Sequence, residues 1–225
     1  MMPTHHLTDA LLLAHSAGQL PEAFNLVVAA HLSLCTPCRL QAEAFDALGG
    51  AMLERCSPVP MDANALDRAM ARMASEIAGP QAPLRPAADG GRSEAGPEAM
   101  AFPACLRDYV GGDLAAVRWR PVGMGVRQAI LPTARGATAR LLFIPAGAAM
   151  PDHGHRGLEL TLVLKGTFTD GIDRFGPGDV EIADEGLQHT PRVDPTGDCI
   201  CLTATDAPLR FNSLMARMAQ PFLRI

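Results

Sequence analysis

Two separate groups of metal-ligating side chains stand out in the sequence, and the first lies near the N-terminus. His31, Cys35 and Cys38 follow the pattern His-x3-Cys-x2-Cys. An imidazole and two thiolates this close together are the donors that tetrahedral zinc takes in structural sites, and such a site needs a fourth ligand. His6, or its neighbour His5, could supply that ligand from just before the first helix. The pattern therefore predicts a zinc ion that joins separate short segments.

The residues around these cysteines leave two other interpretations open. Pro37 disfavours a helical conformation for the residue before it, so Thr36 is expected to cap a new helix that Pro37 opens. The same residues could then form a capped turn with two buried cysteines and a core histidine, without an ion. A Cys-x2-Cys pair is also compatible with redox chemistry, although no βαβ pattern of the thioredoxin type precedes it.

The second group lies in the C-terminal half. His153, His155 and Glu159 alternate along an extended segment, so their side chains point to the same side. His189 follows at the start of a later strand, where a returning hairpin would bring it to the same pocket. Three imidazoles and one carboxylate suit zinc, manganese, iron or nickel, and residue type alone does not choose among these metals. The alternative is a polar barrel mouth without an ion.

Four short helices are predicted to position the first group. Apolar residues recur at helical spacing from Phe24 to Leu32, and Pro21 suits a first helical position. The other three helices are expected over residues 7–16, 41–54 and 62–77. The last carries an apolar stripe made of Leu66, Met70, Met73 and Ile77. So small a helical unit has little core of its own, and we expect it to need a metal or a partner to stay folded.

A second domain is predicted after a linker rich in proline and glycine. The linker spans residues 79–100 and separates a helical domain, 1–78, from a strand-rich domain, 101–225. Short strands are expected over 140–144, 158–164, 167–169, 180–182 and 199–205. Because no long helical pattern separates them, these strands should be antiparallel, as in a sandwich or jelly roll. The predicted fold class is thus α + β, with an all-α zinc-binding domain followed by an antiparallel β-barrel.

Composition narrows the classes of partner and location. The 225 residues carry 19 basic and 24 acidic side chains, a net charge of -5, and Lys165 is the single lysine. This balance argues against nucleic acid as the main partner, since phosphate binding needs a clustered basic surface. No apolar run is long enough to span a bilayer, and the N-terminus lacks the basic start of a secretory signal. We therefore expect a cytoplasmic protein whose six cysteines are thiols or metal ligands.

The second group resembles a known metal-binding motif. The first cupin motif, Gly-x5-His-x-His-x3-Glu-x6-Gly, is matched in full from Gly147 to Gly166. The second cupin motif is matched in part: Gly178, Gly186 and His189 fit, whereas Asp184 and Val193 replace its proline and asparagine. Neither replacement falls on a ligand. The strand-rich domain is accordingly expected to be a cupin.

Together the two modules resemble the ChrR family of anti-sigma factors, in which a zinc-binding anti-sigma domain precedes a cupin domain. The first group matches the family's His-x3-Cys-x2-Cys motif, with His6 at the spacing of its upstream histidine. The likeness runs along nearly the whole chain and includes the segments 9–12, 28–35, 151–161 and 221–225. It is much more specific than either motif alone.

The resemblance implies a regulator that sequesters an extracytoplasmic-function sigma factor in a one-to-one complex. It also implies release of that sigma factor in response to singlet oxygen, for which the cupin domain is needed. On this reading the zinc ligands of the helical domain are His6, His31, Cys35 and Cys38. The cupin ligands, for zinc in the family, are His153, His155, Glu159 and His189. The helix over 62–77 would pack its apolar stripe on the sigma factor, although periodicity alone fits an ordinary core helix nearly as well.

A cupin enzyme and a DNA-binding regulator are the two alternative functions. A metal-dependent cupin enzyme, a dioxygenase or isomerase, would need an open coordination position and a positioned acid or base, and the sequence nominates no residue for that role. A DNA-binding regulator would need a basic reading helix, and none is recognisable.

Cys199 and Cys201 face the same way on a predicted strand, where they could form an oxidation-sensitive pair or simply pack in the core.

Overall fold

The fold joins a helical arm to an antiparallel β-barrel, which confirms the predicted fold class. A computed structural model describes residues 2–78 and 102–211 of the chain. The linker predicted over 79–100 and the C-terminal segment 221–225 lie outside the described residues. Residues 2–78 are called the arm below, and residues 102–211 the barrel.

Four helices form the arm and a fifth opens the barrel. Their bounds are α1 Asp9–Ser16, α2 Glu22–Leu34, α3 Thr36–Glu54, α4 Ala65–Ala78 and α5 Ala104–Val110. α1 begins after Thr8, whose side chain accepts a hydrogen bond from the backbone N–H of Leu11. α3 begins five residues before the expected start, and its cap is Cys35 in an extended conformation rather than Thr36. Helical periodicity alone does not reveal such a start, because Pro37 fits equally at the first or second helical position.

Twelve strands build the barrel. In chain order they are β1 Arg120–Gly123, β2 Val126–Ile130, β3 Thr138–Ile144, β4 His153–Gly154, β5 Glu159–Lys165, β6 Phe168–Thr169, β7 Arg174–Phe175, β8 Val180–Ala183, β9 Gln188–His189, β10 Arg192–Val193, β11 Cys199–Thr205 and β12 Arg210–Phe211. A six-stranded sheet has the order β1-β2-β3-β11-β5-β8, and two three-stranded sheets have the orders β10-β6-β7 and β12-β4-β9. All the strand pairs in residues 102–211 are antiparallel, as expected, whereas β1, β2, β7, β10 and β12 were not predicted.

The arm obtains its core from the barrel. On α2, Phe24, Val27 and Val28 are fully buried and belong to one hydrophobic cluster with side chains of the large sheet. Leu202 of β11 lies in this cluster, whereas Cys201 lies in a second cluster inside the barrel. Because α2 covers one face of β11 and the barrel interior covers the other, the strand is buried along nearly its whole length. The partner that the small helical unit was expected to need is therefore, in part, its own barrel.

The far half of the arm is exposed. The apolar residues Leu66, Met70 and Met73 on α4 are 70%, 57% and 55% accessible to solvent. No single helix within residues 2–78 and 102–211 is long and apolar enough to cross a membrane. Taken together, α2 and α3 have the length and apolar composition of a membrane span, but the chain bends by 117° between them.

Candidate metal centres

The arm centre lies where α1, α2 and α3 approach the barrel. His31 stands in the last turn of α2, Cys35 between the helices and Cys38 in the first turn of α3. His6 comes from the segment before α1, with its Nδ1 3.2 Å from Cys35 Sγ and 3.5 Å from Cys38 Sγ. The structure thus brings all four predicted residues together, with one nitrogen or sulfur atom of each within 4.8 Å of the others.

His31 is oriented by the barrel. Its Nδ1 lies 2.8 Å from the carbonyl oxygen of Gly178, so this nitrogen carries the proton and donates it. The opposite nitrogen, Nε2, is buried and has no hydrogen-bond partner among the described residues. A buried acceptor of this kind, beside two buried sulfur atoms, fits a bound cation.

The electrostatics of the arm centre favour neutral ligands until a cation arrives. Burial lowers the pKa of His31, which keeps the imidazole uncharged and able to bind. Burial also raises the pKa of Cys38 to about 11, so its thiol keeps its proton at neutral pH. Binding of a metal would have to displace that proton.

The structure separates the two neighbouring histidines. His6 belongs to the arm centre, whereas the ring of His5 faces the barrel. Nε2 of His5 lies 2.9 Å from Asp173 Oδ2, and its ring packs 4.4 Å from that of Phe175. Partial burial acts to lower the pKa of His5, but Asp173 and Asp179 outweigh it, and the net effect raises this pKa. His6 is therefore the geometric candidate for the fourth ligand.

The barrel centre is formed by three imidazoles, two on short strands and one, His155, directly after β4. His153 on β4 is paired directly with His189 on β9, and their Nε2 atoms lie 3.2 Å apart. Nε2 of His155 lies 3.3 Å from Nε2 of His189. Burial lowers the pKa values of His153 and His155 to about 4, so both rings are neutral at pH 7. Three Nε2 atoms at such distances fit a shared cation between them.

Oxygen atoms behind two of the rings fix their orientation. Nδ1 of His153 donates to the carbonyl oxygen of Pro151 at 2.8 Å. Nδ1 of His189 lies 3.0 Å from Oε1 of Glu181 on β8, and this carboxylate raises the pKa of His189 although burial opposes it. Metal-binding histidines commonly hold their second nitrogen against a carbonyl or carboxylate in this way. Both arrangements leave Nε2 to face the common centre.

Glu159 sits beside the three imidazoles rather than among them. Its Oε2 lies 3.8 Å from Nδ1 of His155, and its Oε1 accepts a hydrogen bond from the hydroxyl of Thr161 at 3.2 Å. Burial, reinforced by the nearby Glu181, raises the pKa of Glu159 to about 7. Its ligation of a metal, predicted from the motif, stays a prediction.

Sequence reasoning missed two polar residues of this region. Glu181 and Arg140 are buried, and both line the cavity that reaches the imidazoles. Nothing in the local sequence marks either one, since each occupies an ordinary strand position whose partner becomes visible only after the strands pair. Glu181 also forms a second ligand-type combination with His189 and Asp170, which overlaps the barrel centre.

The cavity beside the barrel centre has a volume of about 230 Å³. Its walls are mostly apolar and include Met150, Phe168 and Cys201. Sγ of Cys201 lies 3.5 Å from Sγ of Cys199, both thiols are buried, and the neighbouring thiol together with burial raises the pKa of Cys201 far above its usual range. The expected common orientation of the two cysteines is thus seen.

Fold and residue groups together define a cupin that carries a helical arm with a His/Cys group able to hold a metal ion. Residues 108–208 match the family model of the ChrR cupin-like domain. Over 221 residues, 98% of each chain, the sequence is 57% identical to the anti-sigma-E factor ChrR of Cereibacter sphaeroides. The crystal structure of Rhodobacter sphaeroides SigE in complex with the anti-sigma ChrR superposes with a TM-score of 0.71 at 52% identity and covers 91% of this chain and 100% of that one.

The chain belongs to the ChrR family of anti-sigma factors. It is accordingly a regulator and not an enzyme. This membership, rather than anything missing from the cavity, decides against the enzyme alternative.

Proposed function

We propose that the arm sequesters an extracytoplasmic-function sigma factor in a one-to-one complex and so inhibits transcription until a signal arrives. The carrying observation is the exposed apolar row on α4, which is formed by Leu66, Met70 and Met73. Further exposed apolar residues occur on α3 and in the loop after it, namely Leu48, Met52, Leu53, Val59 and Met61. Exposed apolar surface of this extent is typical of a protein interface. The solved complex of a relative with its sigma factor supports this assignment.

The acidic character of the arm points the same way. Residues 1–78 hold four arginines and no lysine against eight acidic side chains. Such a surface suits a basic protein partner better than DNA. Because a sigma factor acts on RNA polymerase, the proposed location is the cytoplasm.

The proposed domains are a binding domain over residues 1–78, a linker over 79–100 and a sensing domain over 101–225.

The test is capture of the co-expressed cognate sigma factor by the full chain. Burying a Leu or Met side chain contributes about 1.5–3 kcal/mol, so placing a charge in the row should weaken the complex at least tenfold. Met70→Glu is the test variant, and Ala71→Glu is its matched control, because Ala71 is also exposed but lies away from the row. Equal capture by both variants, measured by size-exclusion chromatography with light scattering, would refute the role of the row.

We further propose that each centre holds one metal ion. Zinc in the arm would be held by His6, His31, Cys35 and Cys38, whose donor set suits it best. Zinc, or else manganese, iron or nickel, in the barrel would be held by His153, His155, Glu159 and His189. The unpartnered Nε2 of His31 and the converging Nε2 atoms in the barrel support these assignments. Metal analysis of the purified full chain should find two ions.

The signal proposed is singlet oxygen, acting in the barrel. This oxidant is small and uncharged, so an apolar cavity admits it, and the cavity wall contains oxidisable side chains such as Met150, His153 and Cys201. Illumination of the complex with a photosensitiser in air should release the sigma factor, whereas the same illumination under argon should not. Equal release under both gases would contradict singlet oxygen as the signal.

A further inference from the structure

One turn of the barrel contacts the arm centre without supplying any of its four predicted ligands. This turn, residues 176–179, precedes β8 and is called the docking turn below. The carbonyl oxygen of Gly178 accepts the hydrogen bond from Nδ1 of His31. Gly178 has a φ of +91°, and a Cβ there would lie 2.7 Å from Cγ of Pro3. Glycine therefore lets the barrel backbone approach the arm closely enough to orient a ligand.

Asp179 holds the segment that carries His6. Its side chain is buried, and its Oδ1 accepts backbone N–H groups of Thr4 at 2.6 Å and His5 at 3.0 Å. Its Oδ2 accepts the N–H of Gly176 at 2.8 Å, which keeps the carboxylate in place. The N–H of Val180 also donates to the carbonyl oxygen of His5 at 3.4 Å. His5, the residue just before His6, is therefore hydrogen-bonded to the barrel through both its N–H and its carbonyl oxygen.

β8 continues from this turn to the barrel centre. Glu181, two residues after Asp179 and about 7 Å along the strand, is the carboxylate beside His189. The neighbouring strand β5 is antiparallel to β8 and begins at Glu159, in the barrel. Its Val163 accepts a backbone hydrogen bond from Gly178 at 2.8 Å and donates one to Asp179 at 3.0 Å. The two-stranded ladder of β5 and β8 thus runs from Glu181, beside His189, to Gly178 and Asp179. Gly178 contacts His31, and Asp179 holds the segment that carries His6.

We propose that Gly178 and Asp179 are positioning residues of the arm metal centre, and that the β5–β8 ladder couples metal binding at the two centres. With an ion bound in the barrel, His189 and Glu181 would be held in one arrangement, and β8 would then hold the docking turn in the position that aligns His31 and His6. Coupling of this kind is reciprocal: each ion raises the affinity for the other by the same factor. The inference deepens the proposed function, on whose metal assignments it rests, by giving a route from the sensing domain to the arm.

The test is a titration of the metal-free full chain with Co²⁺ in competition with a chelator. The thiolate-to-cobalt absorption band reports the arm centre, whose predicted ligands include thiolates, whereas the predicted barrel ligands do not. His155→Ala empties the barrel without touching Glu181, and we expect it to lower the cobalt affinity of the arm about 5- to 20-fold. Asp179→Asn should produce a loss of similar size, and the double variant should be no weaker than either single one.

A matched control keeps the measurement specific. Asp198 also accepts a backbone N–H, that of Ala146 at 3.0 Å, but in an exposed barrel loop. Asp198→Asn should leave the cobalt affinity of the arm unchanged. If Asp179→Asn does not fold, as judged by circular dichroism, His5→Ala loosens the same segment from the arm side and should show the same loss.

Equal arm affinity with the barrel filled or emptied would overturn the coupling, and unchanged affinity in Asp179→Asn and His5→Ala would overturn the positioning role. Capture of the sigma factor by the same proteins at saturating metal separates this inference from the proposed function. Normal capture without coupling refutes the inference alone. Coupling without capture by the parent chain refutes the sequestering function and leaves the inference standing.

Discussion

The two candidate metal centres of this protein are built on opposite principles. The barrel centre takes its three imidazoles from one domain, and two of the rings are oriented by oxygen atoms of that same domain. The arm centre takes its predicted ligands from α2, α3, the junction between them and the segment before α1, and the barrel orients one of these residues through Gly178. A centre inside a barrel depends on the pairing of strands within one domain, whereas a centre between small helices depends on how those helices dock. The arm centre therefore depends on contacts with a second domain as well as on its own segments.

The largest expected effect is loss of the arm centre in His31→Ala. This substitution removes a buried ligand together with its hydrogen bond to the barrel, so we expect the arm ion and sigma-factor capture to be lost. The barrel ion should remain at saturating metal. Metal content and capture by the full-length variant check this, and full capture by an arm without metal would show that the arm ion is dispensable.

The converse substitution, His189→Ala, should empty the barrel and spare the arm. At saturating metal we expect one ion per chain, normal capture of the sigma factor, and loss of release under singlet oxygen. Metal analysis and the photosensitiser assay measure these results. Release as fast as in the parent protein would place the sensor outside the barrel centre.

A smaller effect is expected for Glu181→Gln. The variant keeps the size of the side chain but removes the negative charge 3.0 Å from Nδ1 of His189. Loss of such an orienting carboxylate typically lowers metal affinity about 10- to 100-fold. Competition with a chelator measures the barrel affinity, and Glu185→Gln, at an exposed position of the loop before β9, should leave it unchanged.

The smallest effect, and the one that compares the centres most directly, is their dependence on pH. In the metal-free protein Cys38 keeps its proton up to about pH 11, so arm binding displaces a proton throughout the neutral and mildly alkaline range. Glu159, with a pKa of about 7, has lost its proton above that value. Between pH 7.5 and 8.5 the arm affinity should rise at least about tenfold, one power of ten for each displaced thiol proton, while the barrel affinity should change less. Titrations at both values check this, and parallel slopes would contradict it.

Much of both centres could be predicted from residue types and spacing. His31, Cys35 and Cys38 lie close together in the chain, so any helical turn at Cys35 brings them near one another. His153, His155 and Glu159 alternate on an extended segment for an equally local reason. The helical arm and the antiparallel strands followed from periodicity and from the distribution of proline and glycine. Local patterns such as these persist in the fold because they act over a few residues.

Tertiary structure alone decided which residues support those ligands. The choice of His6 over His5 and the docking of α2 on β11 depend on contacts between segments far apart in the chain. The carboxylate of Glu181 comes to lie beside His189 only when β8 and β9 take their places in the barrel. The same holds for Asp179, which looks like an ordinary turn residue until the N-terminal segment lies against it. Residue type sets what a side chain can bind, whereas its partner is set by packing, because apolar burial brings together segments that share no local signal.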